Sequence, residues 1–303
     1  MRFDFAPYLV LVVDSGIRPV NKTCIILNPA ARSERARQSI AKLQAMAGNI
    51  VFKLTEGPGD AEAQAERAVE QGYETIIAAG GDGTINEVVN GIDGAPVNLG
   101  LLPIGTINVF ALELGIPFDL EKAWKVIRAG KVRTIDLASV NDHRFVQLAG
   151  IGLDAQIVER TAWESKKALG PLSYLLTATQ VVAEKPPRLR VTWDSHTVEG
   201  SFVLVGNGRF YGGPFQLFTE ADLEDGLLDV CVFQKMNYIA LMRYFRGVLF
   251  GVHTKFTDVK YFKTRALRVD SDGPVPVEVD GELHGHLPCE FSVSRKKLRV
   301  FVP

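Results

Sequence analysis

The sequence is poor in cysteine, and the few it has are scattered. Its 303 residues include three cysteines, Cys24, Cys231 and Cys289, an odd number spread far apart along the chain. Each lies in an apolar or strand-like segment, which fits a reduced core thiol and disfavours a disulfide framework or a metal cluster. We therefore expect a cytoplasmic protein.

An excess of charge of one sign is also missing. Lys and Arg total 34 against 35 for Asp and Glu, which gives a net charge of -1. This balance provides no electrostatic basis for nucleic acid, or for a strongly anionic membrane, as a bulk partner, although it leaves room for local basic patches.

Long hydrophobic runs are absent as well. No apolar run approaches the roughly 20 residues that a membrane-spanning helix needs. Residues 8–13 are apolar, but they lack the basic start, the length and the small-residue cleavage site of a signal peptide. Any contact with a membrane is therefore expected to be peripheral.

What the sequence does contain is a strand-turn-helix pattern over residues 75–91. The apolar run 75–79 predicts a buried strand, and the residues after the turn place Ile85 and Val88 on one helical face. We predict Thr84 as N-cap of this helix, Glu87 as its partner in a capping box, and Gly91 as the terminating glycine.

The turn itself combines three glycines with one acid. Gly80, Gly81 and Gly83 let backbone N–H groups approach a ligand beside a helix N-terminus, which favours anions such as phosphate. Glycine-rich turns also occur merely for packing. Asp82 favours chemistry, because an acid facing phosphates handles a metal or accepts a proton. The spacing fits neither the Gly-x-x-x-x-Gly-Lys-Ser/Thr motif nor Gly-x-Gly-x-x-Gly.

The first half of the chain alternates strands and helices. Strands predicted at 23–27, 50–55, 75–79 and 97–101 indicate a parallel sheet covered by helices. Ligands bind beyond the carboxyl ends of such strands. The polar residues expected at these ends are Asn28, Thr55, the 80–84 turn, and Thr106 and Asn108, either of which can also cap the next helix.

After residue 130 the pattern changes to strands with turns, which predicts an antiparallel sheet or sandwich with inserted helices near 174–182 and 238–252. The predicted strands include 144–148, 196–205, 289–293 and 298–302. We divide the chain into an extension (1–20), an α/β domain (21–130) and a β-rich domain (131–303), whose last strand can return to the first domain. Asp280-Gly281 reads as a hairpin turn.

Several blocks together resemble the diacylglycerol kinase catalytic-domain family, which includes bacterial lipid kinases, sphingosine kinases and ceramide kinases. The strongest are residues 80–91 and 102–111. The other blocks are 150–155, 167–174, 206–213, 225–230 and 280–282. Asp154 lies in the first of these and Lys167 begins the second. The fold implied is an NAD kinase or diacylglycerol kinase-like α/β domain followed by a mostly antiparallel β-sandwich. The resemblance implies that the first (21–130) is the nucleotide-binding domain and the second (131–303) the lipid-substrate domain.

The resemblance implies that ATP and Mg²⁺ lie in the interdomain cleft and that Asp280 removes the proton of the acceptor hydroxyl. Asp82 and Asp280 then share metal organisation and general base catalysis, and which does which stays open. Asn108, Asp154 and Lys167 are expected to support the site. The positions matching ATP contacts are Asn28, Arg32, Thr55, Gly81, Asp82, Gly83, Thr84, Glu87, Thr106 and Glu282.

Two further expectations come from the resemblance. Asp222, Asp225 and Leu227 match a structural divalent cation site, although an acidic turn before a strand is the plainer interpretation. Residues 28–33 depart from the family pattern because they lack a glycine, so nucleotide affinity or choice is open, and Arg32 or Arg35 could reach a phosphate instead.

Residues 238–250 are apolar at helical spacing and carry Arg243 and Arg246. Packing into a core is the ordinary role of such a helix, and docking to a membrane is the alternative. A homodimer is also compatible with the sequence.

The function predicted is an ATP-dependent lipid kinase that phosphorylates the hydroxyl of a lipid alcohol such as diacylglycerol, as a cytoplasmic enzyme peripherally associated with the membrane. The alternatives are an NAD kinase-like enzyme and a nucleotide- or lipid-binding regulator without turnover.

Overall fold

The computed structural model describes residues 22–29, 42–43, 45–153, 155–156 and 186–303. The extension 1–20, the predicted helix 174–182 and three predicted site residues, Arg32, Asp154 and Lys167, lie outside the described residues.

The first part of the chain alternates strands and helices as predicted. Short loops join the consecutive elements of residues 51–129. The elements are β1 (Thr23–Leu27), β2 (Val51–Leu54), α1 (Asp60–Glu70), β3 (Thr75–Gly80), α2 (Asp82–Ile92), β4 (Asn98–Pro103), α3 (Val109–Glu113) and α4 (Leu120–Ala129).

The second part is dominated by strands. Its elements are β5 (Val132–Val140), β6 (His143–Phe145), β7 (Leu148–Ile151), β8 (Leu189–Trp193), β9 (His196–Gly200), β10 (Phe202–Gly206), β11 (Phe210–Tyr211), β12 (Phe215–Gln216), β13 (Leu228–Phe233), α5 (Tyr238–Leu249), a 3-10 turn (His253–Lys255), β14 (Val259–Thr264), β15 (Ala266–Ser271), β16 (Pro276–Val279), β17 (Glu282–His286) and β18 (Cys289–Phe301).

Two large sheets organise these elements. The first has the order β2-β1-β3-β4-β18-β15-β8-β9, with β5 beside β18 and β6 beside β5. Strands β1 to β4 are parallel, so the predicted parallel sheet is confirmed. The second sheet, β14-β13-β10-β7-β16-β17, is antiparallel.

The two sheets pack into a sandwich over a continuous apolar core. Inward-facing residues of β7, β10, β13 and β16 meet those of β5, β8, β15 and β18, including Ile151, Val203 and Phe291, all fully buried. A separate core lies between the parallel strands and their helices. The predicted α/β part with an antiparallel sandwich is thus confirmed.

Strand β18 links the two architectures. It pairs antiparallel with β15 and β5, and its last residues pair parallel with β4, Arg299 opposite Asn98. The sequence predicted two strands, 289–293 and 298–302. The structure has one strand of 13 residues with an irregularity between Val293 and Lys297, because β5 continues as the partner on both sides.

Two other predicted strands are divided. Residues 144–148 were predicted as one strand but contribute to both β6 and β7, because the N–H groups of residues 146–148 bind a carboxylate instead of a neighbouring strand. Residues 196–205 form β9 and β10, separated at Ser201, whose N–H bonds the carbonyl of Phe233.

All three cysteines are buried and free, as predicted. Burial raises the pKa of the Cys24 thiol to about 11, so it stays protonated and unreactive at neutral pH. Among the described residues, no helix combines the length and apolarity needed to cross a membrane.

Candidate active site

The glycine turn joins β3 directly to α2. The helix begins at Asp82, and its N-cap residue is Gly81, which has no side chain with which to cap. The prediction that Thr84 is the N-cap was therefore wrong. The Thr84 hydroxyl instead accepts a hydrogen bond from the Asn28 side-chain amide at 3.0 Å, which ties the end of β1 to the turn.

Glu87 and Gly91 also act differently from the prediction. The Glu87 carboxylate accepts the N–H of Ala61, so it serves the first turn of α1 rather than a capping box in α2. Helix α2 runs one residue past Gly91 to Ile92. A Cβ at Gly91 would lie 2.3 Å from the carbonyl oxygen of Glu62, so this glycine allows α1 and α2 to pack closely.

Two glycine loops touch each other at the carboxyl ends of β3 and β4. A Cβ on Gly105 would lie 2.4 Å from the Cα of Gly81, which is closer than any real contact. The N–H of Ile104 also bonds the carbonyl of Gly80 at 3.1 Å. The backbone of the β4 loop is thereby held against the backbone of the turn.

This contact gives a first prediction. Gly105→Ala should push the two loops apart, because the obstructing atom is backbone and cannot rotate away. We expect a loss of about 1–3 kcal/mol in the free energy of unfolding, measured by thermal melting. Gly57→Ala is the matched control, because a Cβ there meets no atom within 4 Å. Equal behaviour of the two variants would contradict this account.

Asp82 holds the β4 loop from the other side. Its carboxylate accepts the N–H of Asn108 at 2.9 Å and that of Phe110 at 3.4 Å, so it caps the N-terminus of α3. Burial raises the pKa of Asp82 above its usual range, while the N–H groups of residues 108–110 oppose the rise. The Asp82 carboxylate therefore holds the N-terminus of α3, and it also lines a cavity between the two parts of the chain.

The sequence suggested that Thr106 or Asn108 caps α3, but neither does so with its side chain. Asn108 is the N-cap by position, but its amide bonds both the N–H and the carbonyl of Gly105. It is 3% exposed and has a φ of 57°, so it fixes the loop from within rather than reaching a ligand. Thr106 is exposed on the same loop.

On the opposite wall, Asp280 and Gly281 form the predicted hairpin turn. They connect β16 to β17, and Val279 faces Glu282 across the pair. Both turn residues have positive φ, 48° for Asp280 and 89° for Gly281, as the tight two-residue hairpin requires. Asp-Gly is the sequence that adopts this geometry readily, so the turn fixes where the Asp280 carboxylate points.

The Asp280 carboxylate is held by four N–H donors. It accepts the backbone N–H groups of Val146, Gln147 and Leu148, each at 3.0 Å, and the side-chain amide of Asn86 at 2.8 Å. Burial raises the pKa of Asp280 to about 6, against the opposing effect of these donors. The group is therefore ionised at neutral pH but close enough to titration to exchange a proton.

Asn86 belongs to a polar cluster that the sequence analysis missed. Its side chain also bonds the carbonyl of Arg144, and it lies 3.2 Å from the His143 ring nitrogen. The His143 ring stacks on that of His284, and burial lowers the pKa of His143 to about 4. The sequence signal for this cluster was the pair Asn86 and Asn90, two amides one turn apart in an otherwise apolar helix.

A second missed group, Glu113, connects α3 to the β-rich part. The residue is buried, and its carboxylate accepts the Gln147 side-chain amide at 3.0 Å together with the N–H and guanidinium of Arg209. Gln147 is also one of the donors to Asp280. This chain of contacts relates the position of Asp280 to that of the loop held by Asp82.

Asp82 and Asp280 line one cavity of about 190 Å³. Its other walls are mostly apolar and come from both parts of the chain. They are Ile107, Val109, Phe110, Val146, Gln147, Leu148, Phe210, Tyr211, Gly212, Glu278 and Gly281. The two carboxylates therefore face the same space.

The other predicted site residues surround the turn. A Cβ on Gly83 would lie 2.3 Å from the Glu282 carboxylate, so β17 starts directly beside the glycine turn. Thr55 is buried at the end of β2, where its N–H bonds the carbonyl of Leu27. Asn28, Thr55, Gly83, Thr84 and Glu282 thus lie at one edge of the parallel sheet.

The acidic turn at 222–227 lies apart from the cavity lining and holds a lysine. The Lys263 ammonium bonds the carbonyl of Glu220 at 2.7 Å and the Asp225 carboxylate at 2.9 Å, beside the buried Asp229. Asp225 also accepts the N–H of Leu227, and the Asp222 carboxylate faces Arg133. The Asp225 and Asp222 carboxylates of the predicted cation site are thus each paired with a cationic side chain, Lys263 and Arg133.

The lysine gives a second prediction. If Lys263 supplies the positive charge, EDTA should leave the melting temperature of the protein unchanged. Lys263→Met should lower the free energy of unfolding by about 2 kcal/mol. This loss is smaller than for a fully buried ion pair because Lys263 is partly exposed. Millimolar Mg²⁺ should restore part of the lost stability. A wild-type protein that loses several degrees in EDTA and regains them with Mg²⁺ would contradict this.

The fold and the cleft define the class. A parallel α/β sheet presents a glycine turn to a carboxylate from an antiparallel sandwich, which is the arrangement of the NAD kinase and diacylglycerol kinase type. A family model described as the diacylglycerol kinase catalytic domain matches residues 22–140. A second, described as the YegS C-terminal NAD kinase beta sandwich-like domain, matches residues 148–302. The chain belongs to the diacylglycerol kinase catalytic-domain family.

Individual relatives agree with this assignment. Diacylglycerol kinase from Staphylococcus aureus (strain MRSA252) is 33% identical over 288 residues, covering 92% of this chain and 91% of its own. The protein of the same name from Staphylococcus saprophyticus is 32% identical, covering 92% and 94%. The crystal structure of a diacylglycerol kinase from Bacillus anthracis superposes with a TM-score of 0.78 at 26% identity, covering 95% and 99%.

Proposed function

We propose that this protein is a lipid kinase that transfers the γ-phosphoryl group of ATP to the hydroxyl of a lipid alcohol such as diacylglycerol. The observation that carries the proposal is the shared cavity. The carboxylate at the glycine turn and the carboxylate of the β16–β17 hairpin open onto the same small space, which is what a transfer between two bound substrates requires.

The residues of this chain supply positioning and charge. The glycine turn lies at the N-terminus of α2, where backbone N–H groups would bind a triphosphate. Asn28, Thr84 and Glu282 lie around the turn and are proposed to contact the nucleotide.

The donor set suits a metal that arrives with the nucleotide. Among the described residues no group of three or more His, Cys, Asp or Glu side chains is placed to hold a metal ion. Mg²⁺ binds through one or two carboxylates together with substrate phosphates. Asp82 is the carboxylate that would contact it, and the ion would neutralise the charge that develops on the phosphate oxygens.

Asp280 is proposed to act as general base. The acceptor oxygen forms its bond to the γ-phosphorus as the bond to the bridging oxygen of ADP breaks, and the hydroxyl proton passes to the Asp280 carboxylate. Its four N–H donors fix the direction of the carboxylate, and its raised pKa makes it a better proton acceptor than an ordinary aspartate.

The apolar walls favour a lipid as acceptor. Val109, Phe110, Phe210 and Tyr211 line the cavity together with Asp280. A hydroxyl carried on an apolar chain is stabilised there, whereas a strongly hydrated acceptor would lose water without compensation.

Incubation with γ-labelled ATP, Mg²⁺ and a panel of lipids, with NAD as a further acceptor, tests the proposal. Labelled lipid phosphate is the expected product. Labelled NADP as sole product would favour an NAD kinase, and nucleotide binding without any labelled product would favour a regulator.

The raised pKa of Asp280 gives a prediction on pH. The proton-accepting form is present above about pH 6 and is lost as the pH falls through that value. At saturating MgATP, kcat/KM for the lipid should therefore fall about tenfold per pH unit below the apparent pKa. The pKa of His284 is lowered by burial, so both its ring and that of His143 are neutral at pH 7.

His284→Asn is the control for this experiment and should retain the acid limb. Activity that stays constant down to pH 5, or an acid limb that disappears in His284→Asn, would show that another group titrates.

A further inference from the structure

We propose that helix α5 and the turn after it form a docking surface for the face of an anionic lipid bilayer. The role of this surface rests on the proposed function, because a lipid kinase must reach a substrate in a membrane. The evidence for the surface is separate and consists of the exposure and charge of this one segment. We call residues 238–252 and the basic side chains around them the α5 surface.

The outward side of α5 is apolar. Ile239 is 84% exposed, Met242 63% and Phe250 70%. Their spacing, together with Phe245 and Leu249, puts them on one side of the helix, while Ala240, Tyr244 and Gly247 face the protein. Large apolar side chains that are this exposed and contiguous mark a surface for a partner or a membrane.

The inward side is firmly attached, so this exposure is not the result of a loose helix. Tyr244 packs edge-on against Phe233, and its hydroxyl bonds the Asp258 carboxylate at 2.9 Å. A Cβ on Gly247 would lie 2.6 Å from the Phe256 ring, so the helix packs closely on the turn that follows. Buried His253 lies 2.8 Å from the carbonyl of Leu217.

Charge selects the partner. The whole chain is balanced, but residues 235–260 contain five basic side chains and one acid. That acid, Asp258, is buried and bonded to Arg243 and Tyr244. The exposed basic residues that remain around the apolar side chains are Lys235, Arg246, Lys255 and Lys260. An apolar helix face with basic neighbours is the combination that binds anionic bilayers.

A second copy of the chain fits this surface less well. In a twofold dimer a surface patch lies opposite its own copy. Arg246, Lys255 and Lys260 would then lie near the equivalent cations of the second copy. The one acid of residues 235–260, Asp258, is already bonded to Arg243 and Tyr244. A bilayer with anionic headgroups compensates these charges and accepts the apolar side chains at the same time.

The α5 surface is also next to the mouth of the cavity. Helix α5 contacts β12, whose hairpin partner β11 contributes Phe210 and Tyr211 to the cavity. Phe215 in β12 is exposed. Gly213, in the turn between β11 and β12, lies beside Ile107, which is exposed on the loop after β4. A bilayer that covered α5 would therefore lie close to the entrance through which a lipid reaches Asp280.

The test is sedimentation of the full chain with vesicles, without nucleotide. We expect binding to phosphatidylcholine vesicles containing 30% phosphatidylglycerol, weaker binding to phosphatidylcholine alone, and a decrease with added salt. Ile239→Gln with Phe250→Gln should lower the partition coefficient about tenfold or more. Phe118→Gln, a change at a phenylalanine that is 54% exposed elsewhere, should leave it unchanged.

Three outcomes would overturn the proposal: no binding of the wild-type protein, equal binding of the double variant, or a wild-type dimer that the double variant dissociates. The substituted side chains are exposed, so the double variant is expected to fold. Its activity on a short-chain, water-dispersed alcohol should equal that of the wild type. Loss of wild-type activity on that substrate would count against the kinase function instead, so the two failures are distinguishable.

Discussion

Replacing Asp280 by Asn is expected to lower kcat by a factor of about 10² to 10⁴, the range associated with loss of a general base. The substituted amide cannot accept the hydroxyl proton. It also places an NH₂ group among the N–H donors of residues 146–148, so we expect a loss of about 1–3 kcal/mol in the free energy of unfolding. Turnover, KM for ATP and the melting temperature should be measured together.

Asn86→Ala is the comparison that separates chemistry from positioning. It removes one donor to the carboxylate but keeps the carboxylate itself. We expect a smaller fall in kcat than for Asp280→Asn, with a melting temperature at least as low because Asn86 also bonds the Arg144 carbonyl. Equal losses of kcat in the two variants would assign Asp280 a positioning role and remove it from proton transfer.

Replacing Asp82 by Asn is expected to lower turnover by about 10² to 10³, the size of effect seen when a preorganised electrostatic group is lost. The amide oxygen can still accept the Asn108 N–H and only the longer contact with the Phe110 N–H is lost, so α3 should remain capped and the fold intact. The missing charge should appear as a higher Mg²⁺ concentration for half-maximal activity. Turnover measured across a Mg²⁺ titration checks both effects.

Asp119→Asn is the matched control for that experiment. Asp119 caps α4 through the N–H of Lys122, just as Asp82 caps α3, but it is absent from the cavity lining. Its substitution should leave turnover and Mg²⁺ dependence unchanged. Wild-type behaviour of Asp82→Asn, or equal defects in the two variants, would reduce Asp82 to a helix cap.

Local pattern accounts for what could be predicted of the fold. The buried strand at 75–79, the hairpin at Asp280-Gly281 and the change after residue 130 each follow from apolar period and turn residues. The predictions that were wrong concern side chains whose partners are distant. Thr84 bonds Asn28 and Glu87 bonds Ala61, so neither performs the local capping that its spacing suggested.

Tertiary contacts likewise give the surroundings of α5 and of the acidic turn, which the sequence left open. Periodicity identified α5 as apolar, but only its packing showed that Tyr244 faces inward while Ile239 and Phe250 face solvent. The acidic turn at 222–227 matched a cation site in sequence. In the structure the Asp225 carboxylate bonds the ammonium group of Lys263, 38 residues further along the chain.

The sequence by itself determined the order of strands and helices, the glycine turn with its single acid, and the family, because these depend on residue type over short spans. The tertiary structure decided which polar groups meet. Asn86 and Asp280 are 194 residues apart and bond at 2.8 Å. Such a pair leaves no periodic trace, since its geometry is set by the packing of two whole sheets around it.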